Sequence, residues 1–587
     1  MNVNKIRTAH LHCHTIFSIQ DAMPQVKDYV NAIYEQNQNS SKYEVVGLAI
    51  TDHGTTSAIG DQYSACRHPD DSNKKVKDIY GFETYHCLDL SIDPESRYHL
   101  VLLAETEEGL HNIYKIASHA GTHLYKGRSK NFPVTDIDFL KQHGKGITAL
   151  SACLGGVIPK CITNGQQVDA DAYALIFNQI FDHFYLEVQA TDNPDQLMVN
   201  SALVDMSKRL NIPLVITSDS HYIYKEQKKY HDILKDISHQ LHFTDDAYLR
   251  TFEEFENYCV THGIPLDCIS NTGVIADRCE TLQVRASTFN ELFPVFPCPK
   301  GYDGESYLRK LCFEKLPEKL VKNNIKEPEK YLKQMLYELD VICGDGYADY
   351  FLILWDWFEW CRQNGILCGP GRGSAAGSIV SYVLNITKVD PIKNGFIFER
   401  FLCKGRISPP DIDTDIPRDR RADAIEYLKN KYGVENVSQI VTFGKYKLKN
   451  TTKAILSSLG VPFADQNNLT RGIPDMIDGK EVTWELIENV HNNPDADKYS
   501  NFSDAEKAQI ENIYQDFQDV FNKYPAVYDG IKSICGCIAN TGIHAGGVIV
   551  CKVPIGTRAQ IIEPTGKAVL PVIQLQMSDL ENFSFLN

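Results

Sequence analysis

Residues able to bind a metal recur through the first 225 or so positions, each at or just beyond a short apolar run. His12 and His14 are two apart, so they share one face of an extended chain. Asp21 follows in the next loop, His53 closes AITDH, Glu83 sits in GFE, His99 in YHLVLLA, Cys153 in ALSAC, and Asp219 with His221 in SDSH. Imidazoles, carboxylates and one thiolate together suit zinc or manganese far better than calcium. Taken singly, a histidine is more often an ordinary hydrogen-bonded residue and a buried cysteine packs as a small hydrophobe. Their recurrence at successive segment ends is what points to one shared site.

A second constellation lies further on. GPGRGSAAGS, residues 369–378, places small residues where a backbone must approach something closely, and it leads into a helical pattern whose first amides could bind phosphate. PPDIDTD, residues 409–415, alternates acid and non-acid, so Asp411, Asp413 and Asp415 point the same way in an extended strand. Clustered carboxylates repel one another unless a cation sits between them. Either motif alone is weak, since glycines also serve tight turns and acids also serve solvated loops. Together, a phosphate loop and paired aspartates are the minimum equipment for two-metal nucleotidyl transfer, with magnesium as the expected ion. Arg418, Arg420 and Arg421, then Lys445, Lys447, Lys449 and Lys453, form a local basic track suited to a triphosphate or a template backbone.

These residues need elements to carry them. Seven apolar runs, HLHCHT, VVGLAITDH, IYGFETY, YHLVLLA, KGITALSAC, FYLEVQA and LVITSDSHY, alternate with helical patterns such as EGLHNIYKIASHA. That order predicts a parallel sheet closed as a barrel, with the candidate ligands around one mouth. Residues 226–349 read as helical and charged. A new unit opens with the aromatic helix YFLILWDWFEWCRQNG, VSQIVTF reads as a strand, residues 460–529 read as inserted helices, and HAGGVIV resumes a strand. The fold class expected is α/β, an N-terminal (β/α) barrel followed by a mixed α+β unit with a helical insertion.

With 587 residues, 43% of them hydrophobic, the chain can bury more than one core. A formal net charge of -17 weighs against a generic nucleic-acid-binding surface and leaves room for a local basic track beside acidic metal sites. The sequence carries no signal-peptide core and no run of about 20 apolar residues, so a cytoplasmic protein without a membrane is expected. Seventeen scattered cysteines fit reduced thiols better than a disulfide framework.

The first 225 residues resemble the PHP family, named for polymerase and histidinol phosphatase, whose fold is a seven-stranded barrel holding up to three metals. The family pattern falls on His12, His14, Asp21, His53, Glu83, His99, Cys153, Asp219 and His221 with no position missing. The resemblance implies a working metallo-phosphoesterase and, beside a polymerase, a 3′–5′ exonuclease. Pyrophosphate hydrolysis and a purely structural metal site are the alternatives.

From Tyr350 to Gly444 the sequence resembles the palm of the C-family replicative polymerases, through YFLILWDWFEWCRQNG, GPGRGSAAGS, DPIKNGFIFERFL, PDIDTDIPRDRR and VSQIVTFG in order, with GIHAGGVIV later. The resemblance implies that Asp411 and Asp413 are two of three catalytic carboxylates and hold Mg2+. It implies that Gly371, Arg372, Gly373 and Ser374 meet the triphosphate, that Arg421 contacts it, and that Lys449 and His544 lie near nucleotide and primer. The partners implied are primer–template DNA and deoxynucleoside triphosphates. The expected divisions are a PHP domain over 1–270, a helical connector over 271–349, a palm over 350–435, a thumb-like insertion over 436–530 and a palm continuation over 531–587. Aligned with the family, the sequence stops at Asn587 just before a third catalytic aspartate, and the fingers would follow. That leads to the expectation of a complementary C-terminal polymerase chain, as from a split gene, an intein-interrupted product or a truncation. A degenerate protein living on its phosphoesterase, or a non-catalytic DNA-binding or assembly module, is the alternative.

Overall fold

The computed structural model describes residues 5–68, 72–93, 95–126, 131–238, 240, 246–284, 292–403, 410–494, 496, 499, 501–564 and 568–582. Pro409, at the head of the acidic segment, and residues 583–587 lie outside them.

Nine strands build the first sheet: β1 (Ile6–His10), β2 (Tyr43–Ile50), β3 (Lys77–Cys87), β4 (Tyr98–Ala104), β5 (Leu124–Lys126), β6 (Asn131–Asp136), β7 (Ile147–Leu150), β8 (His183–Gln189) and β9 (Leu214–Thr217). The path β1-β2-β3-β4-β7-β8-β9 uses six of the seven apolar runs of the sequence, its first strand lying just ahead of HLHCHT and sharing only His10 with it, while β6 pairs with β3 and β5 with β6. The short strands β5 and β6 were not expected. Runs such as LAI in β2 and ITAL in β7 are buried throughout, as strands covered on both faces must be. The path bends almost into a closed barrel. Cys13 bridges to Ser220, with the His14 amide donating to Ser220 O at 2.8 Å and the Ser220 amide to His12 O at 3.1 Å. The helix Asp267–Arg278 covers this seam, packing on β1 and β9. Gly273 on that helix lies so close to the barrel that a Cβ there would meet Arg7 O at 2.1 Å.

The parallel expectation needs a correction at β4, which runs antiparallel to both β3 and β7. The cause is the connection between Cys87 and Tyr98, too short to hold the crossover that parallel neighbours require.

The second half divides into two packed regions. Residues 293–424 form a helical core around the helices Gly304–Lys322, Pro328–Gly344 and Ala348–Gln363. Farther on, β10 (Val437–Lys445), the small hairpin β11 (Met476–Ile477) and β12 (Lys480–Glu481), β13 (Ile538–Val550), β14 (Ile561–Ile562) and β15 (Val572–Ile573) follow. The second sheet has the order β13-β10-β15-β14, with β10 and β13 antiparallel. Helices Leu448–Ser458, Phe463–Thr470, Trp484–Asn492, Asp504–Lys523 and Ala526–Ile534 lie between β10 and β13, as the sequence suggested.

This second sheet sits on loops at the barrel mouth, and its apolar core is continuous with that of the barrel. Gln20 Nε2 donates to Ala539 O at 2.8 Å. Gln560 accepts from the Thr56 amide at 2.9 Å and donates to Gly54 O at 2.8 Å. Phe17 meets Phe443 edge-on with ring centroids 5.1 Å apart. The mouth expected to carry the metals is therefore roofed by a sheet from the other half of the chain.

Candidate metal centre and nucleotide site

All nine sequence-singled residues converge at that mouth. His12 Nε2 lies 3.3 Å from Asp219 Oδ1 and 3.5 Å from Glu83 Oε1, and His14 Nε2 lies 3.1 Å from Asp219 Oδ1. His53 spans Glu83 Oε2 at 2.5 Å through Nδ1 and Asp21 Oδ2 at 3.3 Å through Nε2. His99 Nδ1 is 2.9 Å from Glu83 Oε1 and 3.6 Å from Cys153 Sγ. His221 stacks on His14 at 4.3 Å and its Nδ1 donates to Asp219 O at 2.9 Å. Three trios have their donor atoms within 4.8 Å of one another: His14, His53 and His221; His12, His14 and Asp219; and His53, Glu83 and His99.

Proximity here is not hydrogen bonding. His12 Nε2, His14 Nε2, His53 Nδ1, both oxygens of Glu83 and Asp219 Oδ1 are buried without a hydrogen-bond partner. One orphaned polar atom costs about 1–3 kcal/mol, so six converging on one point are intolerable unless something binds them. Lone pairs of imidazole and carboxylate drawn together in this way are a donor set for zinc or manganese, and the residues fit such an ion, with Cys153 Sγ beside them at 3.6 Å from His99.

Electrostatics agree with that reading. Burial raises the Glu83 carboxyl, but the neighbouring His99 and His53 outweigh it and hold the pKa well below the usual carboxylate range. Burial would lower His12, yet Asp219 and Glu187 pull it well above an ordinary histidine. His14 goes the other way, pushed down by burial and by His53 and His221. The backbone is strained in the same place: Gln20, Ala152 and Asp219 have φ of 62°, 63° and 48°, and each is a candidate ligand or directly precedes one. Non-glycine residues in this region are uncommon and are held there by their surroundings.

Three supporting residues were missed in the sequence. Glu187, wholly buried on β8, accepts from His12 Nδ1 at 2.7 Å and Thr217 Oγ1 at 2.5 Å, which turns His12 Nε2 toward the centre. Asp52 accepts from the amides and hydroxyls of Thr15 and Ser18 and braces the loop after β1. Lys235 is buried and pairs directly with Asp21 Oδ1, and burial lowers its pKa to about 7. Glu187 carries the one signal available in advance, an acid inside an otherwise apolar strand run.

The second constellation is assembled differently. Asp411, Asp413 and Asp415 are exposed and Ile412 between them is buried, its amide donating to the Tyr350 hydroxyl at 3.1 Å. The alternation is as expected, but the segment is an extended loop in neither sheet, held by Tyr350 and by the Gly369 amide on Asp415 O at 2.9 Å. Among the described residues these aspartates belong to no tight trio of metal-binding groups. The glycine loop does lie beside them. Gly371 and Gly373 have φ of 108° and 57°, a Cβ on Gly373 would sit 3.9 Å from Asp413 Oδ2, and Arg372 pairs with Asp415 at 3.2 Å.

The loop does not feed directly into a helix, however. A 3-10 turn, Gly373–Gly377, precedes the short helix Ile379–Val383. The first turn of that helix is already satisfied, because the Ser378 hydroxyl and the Val380 amide both donate to buried Glu338 Oε2, at 2.8 and 3.1 Å. The helix start expected to meet phosphate is thus occupied by Glu338, and the exposed residues of the loop are Pro370, Arg372, Gly373 and Ser374.

Arg421 and His544 are assembled with other groups, and neither Asp411 nor Asp413 lines the cavity that holds them. This cavity, of about 910 Å³, lies between the barrel mouth and β10 and β13 and also contains His53. Lys449, half-buried at the start of the helix Leu448–Ser458, is not among the residues lining it.

Comparison with known proteins bears on this arrangement. Residues 10–191 match the PHP domain and residues 306–587 match the bacterial DNA polymerase III alpha NTPase domain. The DNA polymerase III subunit alpha of Aquifex aeolicus is 31% identical over 580 residues, covering 93% of this chain and 48% of the relative. The same-named protein of Borreliella burgdorferi is 34% identical over 491 residues, covering 80% and 40%, and that of Treponema pallidum 31% over 572, covering 92% and 44%. The chain spans about half the length of the curated relatives it matches. No helix among the described residues is long and apolar enough to cross a membrane. A barrel that matches the PHP domain, followed by a segment that matches the DNA polymerase III alpha family model, together with relatives of that name along most of its length, means that this chain belongs to the C-family, the family of DNA polymerase III alpha subunits.

Proposed function

We propose that the barrel mouth is a metal-dependent phosphoesterase that removes nucleotides from the 3′ end of DNA, and that the second half contributes to a replicative DNA polymerase acting in the cytoplasm. The observation that carries the first part is the set of orphaned donor atoms on His12, His14, His53, Glu83 and Asp219. These residues would hold zinc or manganese, which would supply activation of a water and neutralisation of phosphate charge. The chain's own residues hold the geometry: Glu187 fixes the tautomer of His12, Asp52 stiffens the Thr15–Ser18 turn, and Lys235 restrains Asp21.

In the polymerase half, Asp411 and Asp413 offer the oxygen ligands that magnesium prefers, and the exposed turn at Arg372, Gly373 and Ser374 faces them for a triphosphate. Arg421, Lys449 and His544 supply further contacts to nucleotide, primer or template. The relatives are about twice as long as the span matched, so we propose that extension of a primer needs the remainder of that length, joined covalently or as a second chain. The domain divisions at 270, 349, 435 and 530 belong to the same proposal.

The test is release of nucleotides from a 3′-labelled single strand, with manganese or zinc added. Release should vanish in His12→Ala/His14→Ala and persist in Asp411→Ala. Release that followed Asp411 instead would refute the assignment.

A further inference from the structure

The cavity between the barrel and the second sheet joins groups that the sequence assigned to two separate sites. His53 stands in its barrel wall, and Arg421 and His544 stand in the opposite wall. Arg421 Nη2 is buried without a hydrogen-bond partner, which leaves an unspent cationic donor. His544 Nδ1 accepts from the Gly547 amide at 2.8 Å and the Gly546 amide at 3.3 Å, so the ring proton resides on Nε2 and is available to an acceptor. Aromatic side chains line it as well, Phe132 and Phe443 half-buried and Phe17 and Tyr85 buried behind them. Phe17 and Phe443 meet across the interface, and Tyr85 and Phe132 pack edge-on at 5.3 Å beside His53. A volume of about 910 Å³ is ample for a small-molecule ligand and far too small for a duplex.

We propose that this cavity holds the terminal nucleotides of a single DNA strand, with one phosphate on Arg421 and His544, a base against the aromatic rings and the next phosphodiester toward His53. Residues of the polymerase half would then form the substrate wall of the barrel's metal site, and only an unpaired end could enter. A guanidinium and an imidazole N–H are phosphate ligands, aromatic faces accept any base, and the enclosure excludes paired DNA. The direction of the strand toward His53 rests on the phosphoesterase reading above, whereas occupancy of the cavity does not. Glu563 also lines the cavity, and its exposed carboxylate opposes a phosphate there.

The experiment is fluorescence anisotropy of a 5′-labelled thymidine trinucleotide binding to the full chain in chelator, with hydrolysis of bis(4-nitrophenyl) phosphate measured separately with manganese. Arg421→Gln should weaken trinucleotide binding about tenfold or more, the loss of one charge-assisted hydrogen bond. Thr541→Trp, which fills the cavity from β13, should weaken it at least as much. Glu563→Gln should tighten it a few-fold, a gain that misfolding cannot mimic. Unchanged affinity in all three variants overturns the proposal, as does binding of free dTTP with none of the trinucleotide. Failure to hydrolyse the small diester while the three shifts are seen would refute the phosphoesterase reading and leave the cavity assignment standing.

Discussion

Glu187 offers a clean way to separate a metal centre from a merely polar core. Its Oε1 accepts from His12 Nδ1 at 2.7 Å and Thr217 Oγ1 at 2.5 Å, and the side chain is wholly buried. With Nδ1 so engaged, the His12 lone pair lies on Nε2, between Asp219 and Glu83. A carboxylate behind a ligating imidazole is worth about 10–100-fold in metal affinity, or roughly 1.4–2.8 kcal/mol. Glu187→Gln keeps an acceptor and loses the charge, so the lower end, about tenfold, is expected. Glu187→Ala also strands three buried donors, on His12, Thr217 and Gln189, so about 100-fold is expected, with roughly 1–3 kcal/mol of stability lost per stranded group. Titration against a chromophoric chelator measures the affinity, and circular dichroism checks that the fold survives. Wild-type affinity for every metal equivalent in a folded Glu187→Gln, and again in Glu187→Ala, would refute the reasoning.

Further expectations concern the other buried charges. Lys235→Met removes one partner of Asp21, whose other oxygen stays beside His53, so the metal-free protein should lose about 1–3 kcal/mol, and manganese or zinc should restore part of the melting temperature. Metal affinity should fall as the pH drops, because the surrounding carboxylates hold the pKa of His12 well above the ordinary histidine value and its proton must leave before an ion binds; isothermal titration at several pH values measures this. Burial pushes the Glu338 carboxyl from 4.5 up to about 7, so the folded state keeps a proton that the unfolded state has released. Stability from this group is therefore full below about pH 4.5 and declines toward pH 7, by at most about 3 kcal/mol; denaturant titrations of Glu338→Gln should lack that decline.

The candidate metal centre was legible because most of its candidate ligands lie at or just beyond strand ends, although Glu83 sits within β3 and Asp21 in a loop. His12 and His14 illustrate this, two residues apart with Cys13 turned to the core between them. The direction of β4 was less accessible, although the ten residues from Leu88 to Arg97 already argue for a hairpin-like return. Glu187 interrupts an apolar strand run and could have been singled out, whereas Lys235 was hidden for another reason, because a lysine in an amphipathic helix reads as solvent-facing until tertiary contacts bury it. The glycine loop misled in the same way, since only the fold brings Glu338 from a distant helix onto the Ser378 hydroxyl and the Val380 amide. Nor could local pattern reveal that β10 and β13 roof the barrel mouth, because that contact joins Gln20 to Ala539 and Gly54 to Gln560 across most of the sequence.

The central claim is that the barrel mouth exists to hold metal ions. Elemental analysis of the protein purified without chelator, then dialysed exhaustively, measures this directly. The arrangement of His12, His14, Asp21, His53, Glu83, His99, Cys153, Asp219 and His221 predicts about two or three equivalents of zinc or manganese per chain, falling by at least one in His12→Ala/His14→Ala. Less than one equivalent, with none regained on adding either metal, would contradict the account.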